Sequence, residues 1–297
     1  MVGKDRIFQI VLHIVFLFLV LCCLIPFFLL IISSFTDETA LIRQGYSFFP
    51  QKWSLEAYRF TLIDSGAILR GYSISFVVMI IGTVVNLLLT TLYAYPLSRR
   101  DLPGRGFFSF YLFFTMLFNG GLIPTYMMWV QTFHIKNTIF ALIVPNLLMT
   151  AFYVIMMRTY LSTNIPDAVI EAARIDGAGE VRILAQIVLP MSTPILATLA
   201  LLVGLGYWND WVNGLYYINN EKLYSTQVLL NRMLMDIQFL MSNASQLAGA
   251  GSTGVTTLPT MSIKMAMAVM GVLPILIIYP FFQKYFVRGI VIGAVKE

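Results

Sequence analysis

Six apolar runs, at about residues 7–32, 72–97, 107–130, 138–160, 183–212 and 263–287, dominate this chain of 297 residues. Each is long enough to cross a bilayer as a helix, since an apolar core of about 30 Å needs roughly 20 residues rising about 1.5 Å each. Hydrophobic residues make up 59% of the sequence, charged residues 11%, and the mean hydropathy is +0.82. Soluble domains average about 45–50% apolar and about 25% charged. The expected fold is an all-α membrane protein, a single transmembrane domain over 1–297 with six transmembrane helices. The first run exceeds the about 7–15 residues of a signal-peptide core and has no small-residue cleavage site behind it, so it is expected to remain a span.

Lys and Arg crowd into the short segments that lie inside if the N-terminus is cytoplasmic, and the remainder fall mainly in two long segments, 33–71 and 213–262, where charge steers insertion little. Both termini are therefore expected in the cytoplasm and those two segments outside. Ser54 followed by Leu55, Tyr58 and Leu62 predicts a short amphipathic helix on the outer surface. The segment 213–262, polar from Ser242 to Thr257, predicts loop and short helix. The net charge of +5 is spread thinly and forms no basic block, which excludes a nucleic-acid reading. Cys22 and Cys23 are adjacent in an apolar run and offer neither a disulfide framework nor zinc spacing.

Residues 164–182, between the fourth and fifth runs, predict a short stiff helix on the cytoplasmic surface. Asn164 is placed to cap it, with Pro166 and Asp167 in its first turn. The helix is expected to run to about Asp176 and stop at Gly177, a residue that takes up a left-handed conformation at little cost. Ala168, Ala172 and Ile175 share one face, Ile165, Val169, Ala173 and Asp176 a neighbouring one. Alanines permit close approach by a partner, and Glu171 with Arg174 offers charge at its rim. Pro190 and Pro194 are expected to kink the fifth span.

Within this stretch Glu171, Ala172, Ala173, Gly177, Ile187, Leu189 and Pro190 form the pattern E-A-A-x3-G-x9-I-x-L-P. It resembles the coupling segment of ABC importer permeases. The opening KDRIFQIVLHIVF, the external SFFPQKWSLEAYRF, the FNGGLIPTY of the third run and the closing FFQKYFVRGIVIGAVKE are similar to carbohydrate-type permeases of the maltose-permease class, in a branch linked to complex oligosaccharides. The resemblance implies the type I ABC importer permease fold and a multi-pass place in the bacterial cytoplasmic membrane. Its implied partners are a homologous permease forming a heterodimer, ABC ATPase subunits and an extracytoplasmic solute-binding protein. Glu171, Ala172, Ala173, Arg174, Asp176 and Gly177 would be the ATPase-coupling residues.

The chain has no G-x-x-x-x-G-K-[ST], so it has no usual backbone nest for nucleotide phosphates; ATP and Mg are expected on partner subunits and no cofactor on this chain. With His13 and His134 as its two histidines and no H-E-x-x-H or G-x-S-x-G, it offers no hydrolase machinery or metal site, and the expectation is a transport subunit, not an enzyme. A secondary transporter would carry matching broken or charged segments in two repeat halves, and none is visible. An ABC permease for a non-sugar solute is the narrower alternative.

Two clusters are candidates for the translocation path. Tyr207, Trp208, Asn209, Asp210 and Trp211, followed by Asn213, Tyr216 and Tyr217, combine rings that could stack on sugar with amide and carboxylate groups for its hydroxyls; an interfacial aromatic belt is the competing account. Asn119, Gly120 and Gly121, with Pro124, break the third span, either as a packing kink or as a bend lining the path, where unpaired backbone groups are tolerated at membrane depth.

Overall fold

The computed structural model describes residues 6–64, 66–242 and 260–294, and these are almost entirely helical. An isolated bridge between Thr36 and Trp53 is the extended pairing among them. The chain groups into two compact units: one comprises the residues up to Leu69 with Leu229–Pro274, the other Arg70–Val228 with the residues from Ile275 onward.

In the first unit α1 (Arg6–Ser34) is apolar on every side and exposed along almost its whole length. α2 (Glu38–Gln44) follows, its first turn capped by the Asp37 carboxylate. The helix predicted after Ser54 is present as α3 (Glu56–Arg59), which continues as a π turn over Phe60–Asp64. The Ser54 hydroxyl accepts from the Glu56 amide at 3.1 Å. Its buried face is displaced from the predicted one, however: Ala57 and Thr61 are buried while Leu55 is exposed. The cause is Tyr58, whose hydroxyl bonds Ser34 Oγ at 2.7 Å and whose ring stacks on Phe35 at 4.8 Å, turning the helix by its polar tip.

The second unit is organised around α4 (Ala67–Ser98). From Arg70 onward, Gly71, Ser75, Val78, Gly82, Asn86, Thr90 and Ala94 recur every three or four residues and are buried, whereas Val77, Ile80, Ile81, Val84, Leu88 and Leu92 face outward. Small and polar residues inward with large aliphatics outward is the pattern of a helix packed against other helices in lipid.

The third run is not one helix. α5 (Arg105–Leu117) and α6 (Leu122–Met127, continued by a π turn over Met128–Thr132) meet at 111° across Phe118–Gly121, where Gly121 has φ +82°. The fourth run departs further from prediction. Only α7 (Phe140–Ile143) and α8 (Ala151–Asn164) are helical, and the residues between them form turns. Val144 still has helical geometry, φ −82° and ψ −51°; the turn comes after it, where Pro145 has no N–H to continue the helix and Asn146 is left-handed at φ +63°.

The fifth run bends by 81° at Ser192, as the prolines predict. α10 (Glu180–Ile183), a π turn over Leu184–Val188 and α11 (Leu189–Met191) lie before the bend, α12 (Thr193–Asn209) after it. Pro194 has no N–H to offer the Pro190 carbonyl, and the Thr193 hydroxyl donates to it instead at 2.7 Å.

Between α8 and α10, the short helix expected within 164–182 is α9 (Asp167–Ile175). The segment expected as loop and short helix after 213 is more ordered: α13 (Val212–Tyr217), a single 3₁₀ turn and the 17-residue α14 (Thr226–Ser242). The Thr226 amide is anchored by Ser75 Oγ at 2.9 Å. The polar stretch beyond Ser242 lies outside the described residues. The last helix is α15 (Thr260–Ala294). Three helices are thus long and apolar enough to cross a membrane unbroken, and up to five segments qualify when each bent pair counts as one.

Candidate functional site

α9 begins at Pro166 and not under an Asn164 cap. Proline drives the preceding Ile165 to an extended conformation, φ −107° and ψ 109°, which turns the chain before the Asn164 side chain can reach the first-turn amides. Asn164 closes α8 instead, its Nδ2 donating to the Tyr160 carbonyl at 3.1 Å. Asp167 then supplies negative charge to the first turn.

The far end of α9 is closed as the sequence predicts. Gly177 is left-handed at φ +78°. Its amide donates to the Arg174 carbonyl at 3.0 Å, and the Ala178 amide donates to the Ala173 carbonyl at 2.9 Å. Those two bonds are the Schellman arrangement that satisfies terminal carbonyls. Asp176 is the exposed residue at the helix end.

The faces of α9 divide clearly. Ile165, Ile170 and Ala173 are buried in a core shared with Ala94 and Tyr95 of α4, Leu112 of α5, Val154, Met157 and Leu161 of α8, and Ile183 of α10. Ala168, Glu171, Ala172 and Ile175 are exposed, Ile175 to 85%. One predicted face is therefore outward and free; the other is split, with Val169 and Asp176 also exposed.

Arg174, itself exposed, pairs with residues outside α9 and not with Glu171: its Nη1 lies 3.0 Å from Asp101 Oδ2 and its Nη2 2.8 Å from Glu180 Oε1. Glu180 Oε2 accepts from the Tyr95 hydroxyl at 2.6 Å. At the other end of the helix Arg99, almost buried, places Nη1 at 3.3 Å from Asp167 Oδ1 and its guanidinium 5.3 Å from the centre of the Tyr95 ring. The Arg174 guanidinium holds the Asp101 carboxyl below the usual carboxylate range, and Asp101, then Glu180, strengthen the charge on Arg174. Exposed pairs of this kind are screened by solvent and add little to stability. Together with the Tyr95–Glu180 bond they tie both ends of α9 to α4, α10 and the loop after α4. Glu171 is in no ion pair among the described residues.

The two path clusters are placed differently from one another. Tyr207 and Trp208 are buried in packing: the Tyr207 ring fills the space over Gly82, its hydroxyl donates to the Ile143 carbonyl at 2.9 Å, and Trp208 lies against Tyr72 and Phe76 at 6.0 and 5.4 Å. Asn209 and Trp211 are exposed. Asp210 Oδ1 accepts from the amides of Val212 and Asn213 at 3.1 and 3.2 Å, starting α13. Asn119 and Gly121 line a cavity of about 230 Å³ together with Thr125, Asn146, Asn213, Tyr216 and Tyr217. The break in the third run and the segment after Asp210 thus meet, though through Asn213, Tyr216 and Tyr217 and not through Tyr207 or Trp208. Gly120 is near Thr125 Oγ1 but is not on the cavity wall. No group of three His, Cys, Asp or Glu residues that could hold a metal occurs among the described residues.

Residues 102–292, well over half of the chain and including all of α9, match the family of binding-protein-dependent transport system inner membrane components. The chain belongs to that family. The permease is 36% identical to the polygalacturonan/rhamnogalacturonan transport system permease protein YtcP of Bacillus subtilis (strain 168), covering 99% of each chain. It is 28% identical to the arabinooligosaccharides transport system permease protein AraQ of Halalkalibacterium halodurans over 95% of its own length and 94% of the relative's. Its fold matches a chain in the crystal structure of a bacterial ABC transporter involved in the import of the acidic polysaccharide alginate, with a TM-score of 0.81, 30% identity, and coverage of 96% of this chain and 99% of that one. This is a type I permease fold in a multi-pass membrane protein, and the permease is a transport subunit, not itself an enzyme.

Sequence reasoning singled out α9 but missed the residues of the permease that hold it: Tyr95, Arg99, Asp101, Asp167 as an ion-pair partner, and Glu180. The pairs Tyr95–Glu180 and Arg174–Asp101 are separated by 85 and 73 positions. A local signal did exist, since Arg99, Asp101, Arg174 and Glu180 are charges beside the ends of apolar runs. Nothing local said which would pair.

Proposed function

We propose that this permease is one of two homologous membrane subunits of an ATP-driven importer that carries an oligosaccharide across the bacterial cytoplasmic membrane. On this reading the chain crosses six times, the fourth crossing being the broken segment α7–α8, and both termini are cytoplasmic. The partner ATPase subunits bind ATP and Mg, and an extracytoplasmic binding protein delivers the sugar. The Asn119–Gly121 break and the start of α13 face the path between the two permeases.

The observation that carries the reading is the geometry of α9. Its inner face is built into the core, its two ends are braced by Arg99–Asp167 and by Arg174 with Asp101 and Glu180, and its outer strip of Ala168, Ala172 and Ile175 is exposed beside Glu171, which has no ion pair among the described residues. A partner seated on that strip gains close backbone approach at the alanines and an apolar contact at Ile175. Displacement of the strip is passed through the braces to α4 and α10, and from α10 into the jointed α11–α12. The names of the relatives share one chemistry, polymerised sugar, and that supports an oligosaccharide as the cargo.

The test is the purified complex. Glu171→Lys is expected to reduce stimulation of ATP hydrolysis by the loaded binding protein, or to release the ATPase subunit during purification. A charge at a docking rim matters by about 0.2–1 kcal/mol while exposed and by several when desolvated. Full stimulation together with full retention would remove α9 as the coupling element. A binding protein that takes up no member of a panel of plant and algal oligosaccharides would remove the sugar.

A further inference from the structure

We infer that Arg105 and Arg158, at the seam between α5 and α8, together hold the phosphate of an anionic phospholipid of the cytoplasmic leaflet. The inference rests on the importer reading for the side of the membrane on which the seam opens, and it adds a ligand which that reading does not contain.

α5 and α8 pack together through Leu112 on one and Val154, Met157 and Leu161 on the other. Positions three, four or seven apart share a helix face. Arg105 therefore lies two turns before Leu112 on the same face of α5, and Arg158 lies beside Val154 and Leu161 on α8. Both arginines are half-buried, and their charges are near enough to act on one another.

Like charges side by side need a counter-ion, and the protein supplies none. Neither arginine is in an ion pair among the described residues. Asp101 and Glu180 are held by Arg174, and Asp167 by Arg99. The first turn of α5 contains no acidic residue and no side-chain cap, although the helix dipole opposes a cation there. Arg105 donates from Nε to the Leu97 carbonyl at 3.0 Å, which anchors it and leaves both Nη groups. The Arg158 guanidinium makes no hydrogen bond among the described residues. An arginine within a crossing is costly to leave without a partner.

A phosphate meets this demand, because a guanidinium presents parallel N–H groups to an oxyanion, and two guanidiniums on adjacent helices can take separate oxygens. Basic pockets between helices at the cytoplasmic side are where anionic headgroups bind. Depth and surroundings favour a lipid over a free ion. Arg158 lies six residues, about 9 Å, before the end of α8, close to the roughly 5–7 Å of a headgroup layer, and its stem can carry the charge outward. Beside Arg105 the Phe108 ring lies against Gly104 and stays exposed, as does Tyr111 one turn on. These rings offer acyl chains an apolar wall for which a free phosphate has no use. An ethanolamine headgroup carries an ammonium that the two arginines repel, so the seam selects a net negative lipid.

The experiment is native mass spectrometry of the complete detergent-solubilised importer with dioleoylphosphatidylglycerol, dioleoylphosphatidylethanolamine or inorganic phosphate added. Phosphatidylglycerol is expected to bind in preference to the ethanolamine lipid, and excess inorganic phosphate should not displace it. Arg105→Gln and Arg158→Gln should each weaken one bound phosphatidylglycerol about tenfold, the worth of a charged hydrogen bond. The double glutamine variant should lose less than the product of the two, since both side chains serve one phosphate. Arg105→Lys and Arg158→Lys keep the charge and should keep the preference for phosphatidylglycerol, and Arg43→Gln, on α2, should bind as wild type. Equal binding of the two lipids, or glutamine variants that bind as wild type, overturns the site. Displacement by inorganic phosphate overturns it by assigning the seam to the free ion, and losses that simply multiply overturn the shared phosphate. Lysine variants as impaired as the glutamine ones assign the loss to the fold and overturn it also. ATPase stimulation by the loaded binding protein, measured on the same preparations, reports separately on the importer reading: its absence in the wild type sinks that reading, whereas the lipid site is judged by the mass spectra.

Discussion

The Tyr207 hydroxyl donates to the Ile143 carbonyl at 2.9 Å, across a separation of 64 residues, and thereby closes the end of a helix broken in the apolar part of the chain. Two further side chains do the same for the next turn: Asn213 Nδ2 bonds the Pro145 carbonyl at 2.9 Å, and Asn86 Nδ2 the Leu147 carbonyl at 2.6 Å. Non-helical backbone at membrane depth persists only where protein or water satisfies it. Here three helices contribute one donor each. Tyr207→Phe keeps the ring over Gly82 and leaves a buried carbonyl unpaired, so a loss of about 1–3 kcal/mol is expected, read as a lower thermal unfolding midpoint of the purified permease. A midpoint unchanged from wild type would show that the carbonyl finds another donor.

Gly82 tests the same contact from the other side. A Cβ there would overlap the Tyr207 ring, which is held by backbone and cannot swing aside cheaply. Gly82→Ala should destabilise by about 1–3 kcal/mol through overpacking. Combined with Tyr207→Leu, the penalty should largely vanish, and additive losses in that double variant would rule the clash out.

At Gly177 nothing lies within 4 Å of a built Cβ, so any penalty there comes from the left-handed backbone and not from collision. Gly177→Asn, a residue that tolerates this conformation, should transport nearly as wild type. Gly177→Val should strain the turn by about 1–2 kcal/mol or more and depress uptake with normal membrane insertion. Equal uptake by the two variants would mean that the turn is not a working part of the coupling segment.

Arg174 and Asp101 invite a charge exchange. Arg174→Asp and Asp101→Arg should each weaken coupling of ATP hydrolysis to uptake, and the double exchange should recover a small part of it, since the pair is exposed and screened by solvent. Glu180 pairs with the same guanidinium, so recovery should be incomplete. Absence of any recovery would assign the single effects to something other than this bridge.

Asp37 offers a pH test. Its hydrogen bond with Lys52, at 2.8 Å, and that with Thr39 lower its pKa from 3.8 to about 2. A depressed folded-state pKa stabilises above the unfolded value and ceases to do so as pH falls through the folded value. The stabilisation should be complete above about pH 4, shrink between there and about 2, and be absent in Asp37→Asn. Unfolding midpoints of the two proteins should converge over that window, and a constant difference down to pH 2 would contradict the assignment.

What the sequence determined by itself was whatever local chemistry fixes. Run length set the helical membrane class, Gly177 ended α9 in a left-handed turn, Pro190 and Pro194 bent the fifth run, and the E-A-A spacing placed the coupling candidate on a short exposed helix. These depend on a residue and its immediate neighbours. The sequence was misread where a local signal met a stronger distant one. Asn164 had the chemistry of a cap, but Pro166 redirected the chain before it could act. The fourth run read as one continuous helix because apolar residues surround Pro145; that the break could be tolerated depended on Asn86, Tyr207 and Asn213, which only folding brings there. That Arg174 would find Asp101 and Glu180 as partners was likewise settled only by folding. Tyr207 and Asp210, aromatic and acidic at the end of an apolar run, had the composition of a sugar site, yet their hydrogen bonds are spent on a carbonyl and on the start of α13. Hydrogen-bond partners many residues apart are chosen by packing, because an unpaired polar group in an apolar interior costs more than any local preference can offset. That choice is made in three dimensions, and composition and spacing do not carry it.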